Sequence, residues 1–249
     1  MKDSKTVASL FMALALAQGS TLAQEAPTLR GAEAAAPVSA SRMAGATTLL
    51  VQDELPWGYD SNEQVLTALG VAYDTVASAD FASVDLSAYS TIIVASTQPQ
   101  QFYGRLKAHR DALDNWLKHG ARTLEFHAAF QSDNHWGFDL PGQVHAVWNP
   151  QSTNALTWVP DPLTAGLPHR MTGNYASHVT FQRPHVINLA VLIRTVGGEH
   201  DPVMVDYCVG SGRVIATGQT VEFAYANGWD FAPALQNMLA ASTLTPGCQ

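Results

Sequence analysis

Residues 91–129 read TIIVASTQPQQFYGRLKAHRDALDNWLKHGARTLEFHAA, and this stretch decides the fold. An unbroken apolar run, Thr91 to Ser96, leads into a helical pattern from about Gln100 to His119 that stops at Gly120. Trp116 and Leu117 lie on the buried face of that helix, and a second run, Thr123 to Ala129, follows it. Strands that do not alternate polar with apolar residues are covered on both faces, and a helix between two of them makes a parallel crossover.

The same texture extends upstream. Thr47 to Asp53 (TTLLVQD) is another continuous apolar strand. Ser61 followed by Gln64 reads as a capping box opening a helix that Gly70 closes, and Tyr73 to Ala77 is a short strand. Downstream of Ala129 the chain is rich in aromatics, Pro, Asn and Gly as far as about Pro184. This reads as a loop-rich insertion. Two β runs follow, Val186 to Thr195 and Pro202 to Val209, and Gly210-Ser211-Gly212 turns the second into Arg213 to Gly218 as a hairpin. A last helix spans roughly Phe231 to Ala241. The expected fold is an α/β, flavodoxin-like, doubly wound and mostly parallel sheet, with the insertion at about 130–185 and a C-terminal β-hairpin.

Composition narrows the function. The 249 residues carry 13 Lys+Arg against 21 Asp+Glu, a net charge of −8, with no local basic stripe, so the electrostatic basis of nucleic-acid binding is missing. Two lysines within Met1 to Lys5, the short apolar run Val7 to Ala17 and small residues ending at Ala23 read as a secretory signal peptide. Residues 24–45 have no clean apolar period and read as a disordered leader, leaving a single domain from residue 46. No later stretch has the length of a membrane span. A soluble protein outside the cytoplasm, secreted or periplasmic, is expected; its oligomeric state is left open.

Familiar catalytic signatures are missing: there is no Gly-x-Ser-x-Gly, no Walker loop, no Gly-x-Gly-x-x-Gly and no His-Glu-x-x-His. Cys208 and Cys248 are the two cysteines, and neither follows the fourth strand, where a nucleophilic thiol belongs in a doubly wound fold. In an oxidising compartment the plainer reading is a disulfide tying the tail to the hairpin. Sequence alone leaves open whether the two meet.

Leu124-Glu125-Phe126-His127-Ala128-Ala129 after a long helix and Gly120, together with the later Gly210-Ser211-Gly212-Arg213-Val214-Ile215-Ala216-Thr217, resembles the class I glutamine amidotransferase-like superfamily. Within it the chain is most similar to the trehalose-utilisation (ThuA-like) branch, over roughly Thr47 to Ala241. The resemblance implies a flavodoxin-like sheet with its pocket at the carboxyl ends of the strands, where a topological switch point also places ligands. His127-Ala128 stands where the amidotransferases carry their cysteine, so glutaminase chemistry is expected to be absent. Gly218-Gln219 stands where ThuA-like chains often have Gly-His.

In that fold Asp53 and Glu54 end the first strand, Gln98 follows the third, Glu125 and His127 close the fourth, and Glu222 follows the hairpin. His178 lies in the insertion, which is expected to fold over this rim. His127, His178, Glu125 and Glu222 are the candidate catalytic residues, because imidazole beside carboxylate suits proton transfer near neutral pH. His127, His178 and Glu222 are also candidate ligands for a divalent metal ion. Asp53, Gln98, Trp136, Asn174 and Tyr175 are candidate substrate contacts, and Trp148 and Trp158 join Trp136 and Tyr175 as candidate sugar-stacking rings. Bland readings stand beside these: a neutral core histidine at 127, a surface histidine at 178, a satellite aromatic core, and Arg122 or Arg213 as a structural partner for Glu125.

Two classes of function follow. One is a secreted hydrolase in which the histidines and carboxylates activate water, directly or on a metal, against a glycosidic, ester or lactone bond. The other is a non-catalytic module that binds a carbohydrate or small ligand in the same cleft. The missing nucleophile favours the second, but clustered histidines and acids favour the first, so the secreted hydrolase is the expected function and the binding module the alternative.

Overall fold

The computed structural model describes Met43 and residues 45–130, 139–182, 189–197 and 200–248. The expected signal peptide, and the expected leader apart from Met43 and Gly45, therefore lie outside the described residues, as does Trp136. Among the described residues, ten strands form one mixed sheet. Its parallel half contains β1 (Thr48–Val51), β2 (Tyr73–Val76), β3 (Thr91–Val94) and β4 (Thr123–His127). In chain order these are followed by β5 (Asp139–Leu140), β6 (Val144–Leu156), β7 (Arg170–Gln182), β8 (Ala190–Thr195), β9 (Pro202–Val209) and β10 (Gly212–Thr217). The order β2-β1-β3-β4-β10 is parallel throughout, and β9, β8, β6 and β5 extend it antiparallel, with β7 paired to β6. This is the expected α/β sheet, open rather than closed into a barrel.

Strand alternation assigns two cores. Leu49, Val51, Ile92, Val94, Leu124, Phe126, Val214 and Ala216 face one side, with α2 (Gln100–Ala108) and α3 (Arg110–Lys118) packed on them through Phe102, Leu106, Leu113 and Trp116. Leu50, Ile93 and Ile215 face the other side, under α1 (Ser61–Ala68), α4 (Val221–Asn227) and α5 (Pro233–Leu244). Among the described residues, no helix is long and apolar enough to cross a membrane.

Three local expectations change. The predicted capping box is absent: Asp60 holds the N-cap position of α1, and the Ser61 hydroxyl instead donates to the Glu222 carbonyl at 2.9 Å. A long-range bond has taken over a side chain that sequence assigned to local use. The long helix divides at His109 into α2 and α3. The insertion holds more regular structure than its texture predicts, because β6 and β7 are each 13 residues long. Shifts in register between Trp148, Gln151 and Thr153 break the period-two pattern that would have revealed them.

Cys208 and Cys248 are joined, with Cα atoms 5.9 Å apart and 40 residues between them in sequence. The tail is also held by Gly247 N–H on Thr123 Oγ1 at 2.8 Å. Closing a loop of this length restricts the unfolded chain. Cys248→Ser should lower the unfolding free energy by roughly 2–4 kcal/mol. Urea unfolding with and without reductant checks this, since reductant should bring the wild type to the variant's midpoint and leave the variant unmoved.

Candidate functional site

The site begins with a register accident of the parallel sheet. Glu125 lies level with Ile93 on β3 and Ile215 on β10, and His127 lies level with Thr217, all on the face covered by α1, α4 and α5. A carboxylate between two isoleucines is very costly to bury without a partner. Its partner is His127, whose Nε2 is 2.7 Å from Glu125 Oε1. Neither arginine considered from sequence serves, because Arg213 forms a forked pair with Asp206 and Arg122 donates to the Trp116 carbonyl.

The other imidazole nitrogen, Nδ1, is 2.8 Å from Glu222 Oε1. Glu222 is in the first turn of α4, where a negative charge is favoured by the helix dipole. It also accepts Ser96 N–H at 3.1 Å and Ser96 Oγ–H at 2.8 Å. Glu125, His127 and Glu222 all have zero exposure. Burial alone would lower the His127 pKa, but the two carboxylates outweigh it and raise it from 6.5 to about 10. Burial likewise disfavours the charged form of Glu222, and the facing imidazolium overcomes this to hold its carboxyl below the ordinary value.

This geometry limits the chemistry. An imidazolium that donates from both nitrogens has no lone pair for a proton or a metal. Among the described residues, no group of three or more His, Cys, Asp or Glu side chains is placed to hold a metal ion. The suggested ligand set of His127, His178 and Glu222 is not brought together as one. The backbone after β4 also lacks a nucleophile elbow, since neither Ala128 nor Ala129 has positive φ.

His178 reaches the same end of the sheet by another route. Its N–H donates to Gly218 O at 2.8 Å, one residue beyond the His127–Thr217 pair, and Ser177 bridges to Gln219. Gly218 is required here because a Cβ would overlap the Val179 carbonyl. The His178 ring does not join the Glu125–His127–Glu222 network; Nδ1 donates to Phe130 O at 2.6 Å. Trp57, Trp148 and Tyr175 surround that ring edge-on, with centroids 5.3, 5.1 and 5.4 Å away. Burial lowers the His178 pKa, so this imidazole is neutral near pH 7.

From Trp57 the ring contacts continue to Phe223 at 5.9 Å, and from Phe223 to Tyr59 at 6.0 Å and Trp229 at 5.0 Å. The result is an aromatic belt along the carboxyl edge of the sheet, with Tyr175 51% and Tyr59 36% exposed. Three non-glycine residues with positive φ, Trp57, Thr97 and Tyr175, occur on the segments at this edge. Such conformations are rare for bulky or β-branched side chains, and local bonds must hold them. Thr97 is held by N–H and Oγ1–H on Ala129 O at 3.1 and 3.0 Å.

The remaining sequence candidates occupy different settings. Asp53 clamps Ser78 through N–H and Oγ–H at 2.6 and 2.8 Å and lies 3.5 Å from Arg105. Gln98 accepts from Asp53 and Glu54 N–H and donates to Glu54 and Ser96 carbonyls, so its amide is fully used in joining two loops. Asn174 is exposed beside Tyr175. Trp148 joins the belt, whereas Trp158 stands apart against His169, 83% exposed. Sequence reading missed Ser96, Trp57, Tyr59, Phe223 and Trp229. The closely spaced aromatics of Pro56-Trp57-Gly58-Tyr59 and Phe223 to Phe231 were the available signal.

No family model matches the chain. Over 196 residues, or 76% of its length, it is 31% identical to an uncharacterized protein of Clostridium acetobutylicum, but it spans only 19% of that relative. Among solved structures, a cytoplasmic protein of Salmonella typhimurium LT2 superimposes with a TM-score of 0.55 at 12% identity, over 79% of this chain and 99% of that one. A Thermoplasma acidophilum protein, described as a component of GMP synthase, gives 0.50 at 12% identity, over 79% and 95%. An exo-β-1,4-mannosidase of an Opitutaceae bacterium gives 0.50 at 15% identity, over 82% of this chain and 36% of the mannosidase. These likenesses, none above 15% identity, concern the α/β fold alone.

The raised His127 pKa fixes the sign of a pH effect. Its contribution to stability is complete below about pH 6.5, declines as pH rises, and is lost above about pH 10. Wild-type unfolding free energy should fall across that window by at most about 1.4 kcal/mol per pH unit from this group. His127→Gln should be less stable at pH 6 by about 3–5 kcal/mol, the usual cost of breaking a buried pair, and should lack this decline. Urea titrations at pH 6, 8 and 10 measure both effects.

Proposed function

We propose that the chain is an exported, non-catalytic module of amidotransferase-like fold, nearest the ThuA-like branch, that binds a carbohydrate or other small ring-bearing ligand on the belt. One observation carries this reading: His127 is fully buried with both ring nitrogens on carboxylates, while Tyr59 and Tyr175 stand exposed at the same edge. Stacking on Tyr and Trp rings is how a protein holds a ring-bearing ligand without charged contacts. The partial matches agree with a modular role, since this fold corresponds to 19% of a longer relative and 36% of a mannosidase chain.

The hydrolase reading retains support from His178. Its Nδ1–H is fixed on Phe130 O, leaving Nε2 as a neutral acceptor. A broad panel of glycoside, ester and lactone substrates separates the two readings. Turnover that His178→Ala abolishes would favour hydrolysis.

Ligand stacking should quench the belt tryptophans. Trp57→Ala and Tyr175→Ala should each weaken binding by roughly tenfold or more, as loss of a stacking ring worth about 1–2 kcal/mol implies. Trp158→Ala should leave binding unchanged. Fluorescence titration and calorimetry against a saccharide panel measure these effects, and equal affinity in all three variants would reject the belt as the site.

A further inference from the structure

Apart from Trp148 on β6, the belt is carried by three chain segments, 52–63, 171–182 and 218–232, which contain Asp53, Glu54, Asp60, Glu63, Glu222 and Asp230 but no Lys or Arg; Arg105 and the His127 imidazolium offset only Asp53 and Glu222. Most of these acids are engaged. Asp53 is held by Ser78, Asp60 accepts from Gln64, Glu63 accepts from Gln52, and Glu222 accepts from His127 and Ser96. A field of this sign repels an anionic ligand.

His178 supplies a complementary polar contact. It is 6% exposed and sits among Trp57, Trp148 and Tyr175, with Nδ1–H committed to Phe130 O. That bond fixes the tautomer and leaves Nε2 as an acceptor without a hydrogen-bond partner among the described residues. An acceptor surrounded by ring edges is matched by a hydroxyl donor on a ligand that stacks.

Resting on the binding-module reading, we infer that the rim takes a polyhydroxylated ring free of negative charge and that His178 Nε2 accepts a hydrogen bond from one of its hydroxyls. His178 is thus a specificity-determining residue, and the aromatic rings supply the contact area. Burial works in the same direction by keeping the imidazole neutral.

The test compares neutral gluco- and manno-hexaoses with the galacturonate hexamer, using tryptophan fluorescence and calorimetry on the mature chain. The neutral sugars should bind at least about tenfold more tightly than the galacturonate hexamer. His178→Asn retains a donor near the Nδ1 position but loses the distal acceptor, and should weaken neutral-sugar binding about tenfold. His178→Gln places an amide near Nε2 and should restore affinity to within about threefold. An unfolding midpoint for each variant confirms that it is folded.

Equal or tighter binding of the galacturonate hexamer overturns the inference while leaving the belt as a binding site. Unchanged affinity in His178→Asn, or no rescue by a folded His178→Gln, overturns the role of His178 in the same way. If no saccharide of any charge quenches the tryptophans, the module reading itself fails and this inference falls with it.

Discussion

A protonated imidazole held between two carboxylates, in a place closed to water, is the constraint around which the carboxyl edge of the sheet is arranged. Glu125 arrives from β4, His127 two residues later on the same face, and Glu222 from the first turn of α4. The separate charges would be prohibitive there, and together they bind a strand to a helix. Ser96 extends the network to the end of β3, and the Ser61 bond to the Glu222 carbonyl draws in α1. Two parallel strands, β3 and β4, and two helices, α1 and α4, therefore meet at one ionic joint.

That joint changes the meaning of residues that look catalytic in the sequence. Proton transfer requires a group with an unfilled valence facing a substrate, and His127 has both nitrogens engaged. The rigid edge instead supports what lies above it. The loop after β1 presents Trp57 and Tyr59, the start of α4 presents Phe223, and β7 crosses the edge through His178 and Gly218 to bring Tyr175. Backbone conformations that are costly in isolation persist at Trp57, Thr97 and Tyr175 because this framework holds them.

The antiparallel half of the sheet has a corresponding role. By extending from β10 through β9 and β8 to β6, it returns β7 across the carboxyl end of the parallel strands. The disulfide between Cys208 and Cys248 closes the opposite end of this extension, on the β9 strand that joins the two halves. The aromatic edge and the chain's covalent closure are thus supported by the same pair of strands, β9 and β10.

The parallel half was legible in the amino-acid sequence, because runs such as Thr48 to Val51 and Thr91 to Val94 are apolar without polar alternation and can be satisfied only by burial on both faces. The same reading marked Glu125, His127 and Glu222 as anomalous, since charge at buried strand and helix ends requires a partner. It could not say that they were one another's partners: Glu222 is 95 residues from His127, and only strand register and the placement of α4 bring them within 2.8 Å. The two long strands of the insertion were hidden by their register shifts, and the belt by its dispersal over segments that meet only after β7 crosses the sheet. Local patterning fixed where the chain had to be buried, and packing in three dimensions selected which polar groups that burial forced to pair and which rings it left facing solvent.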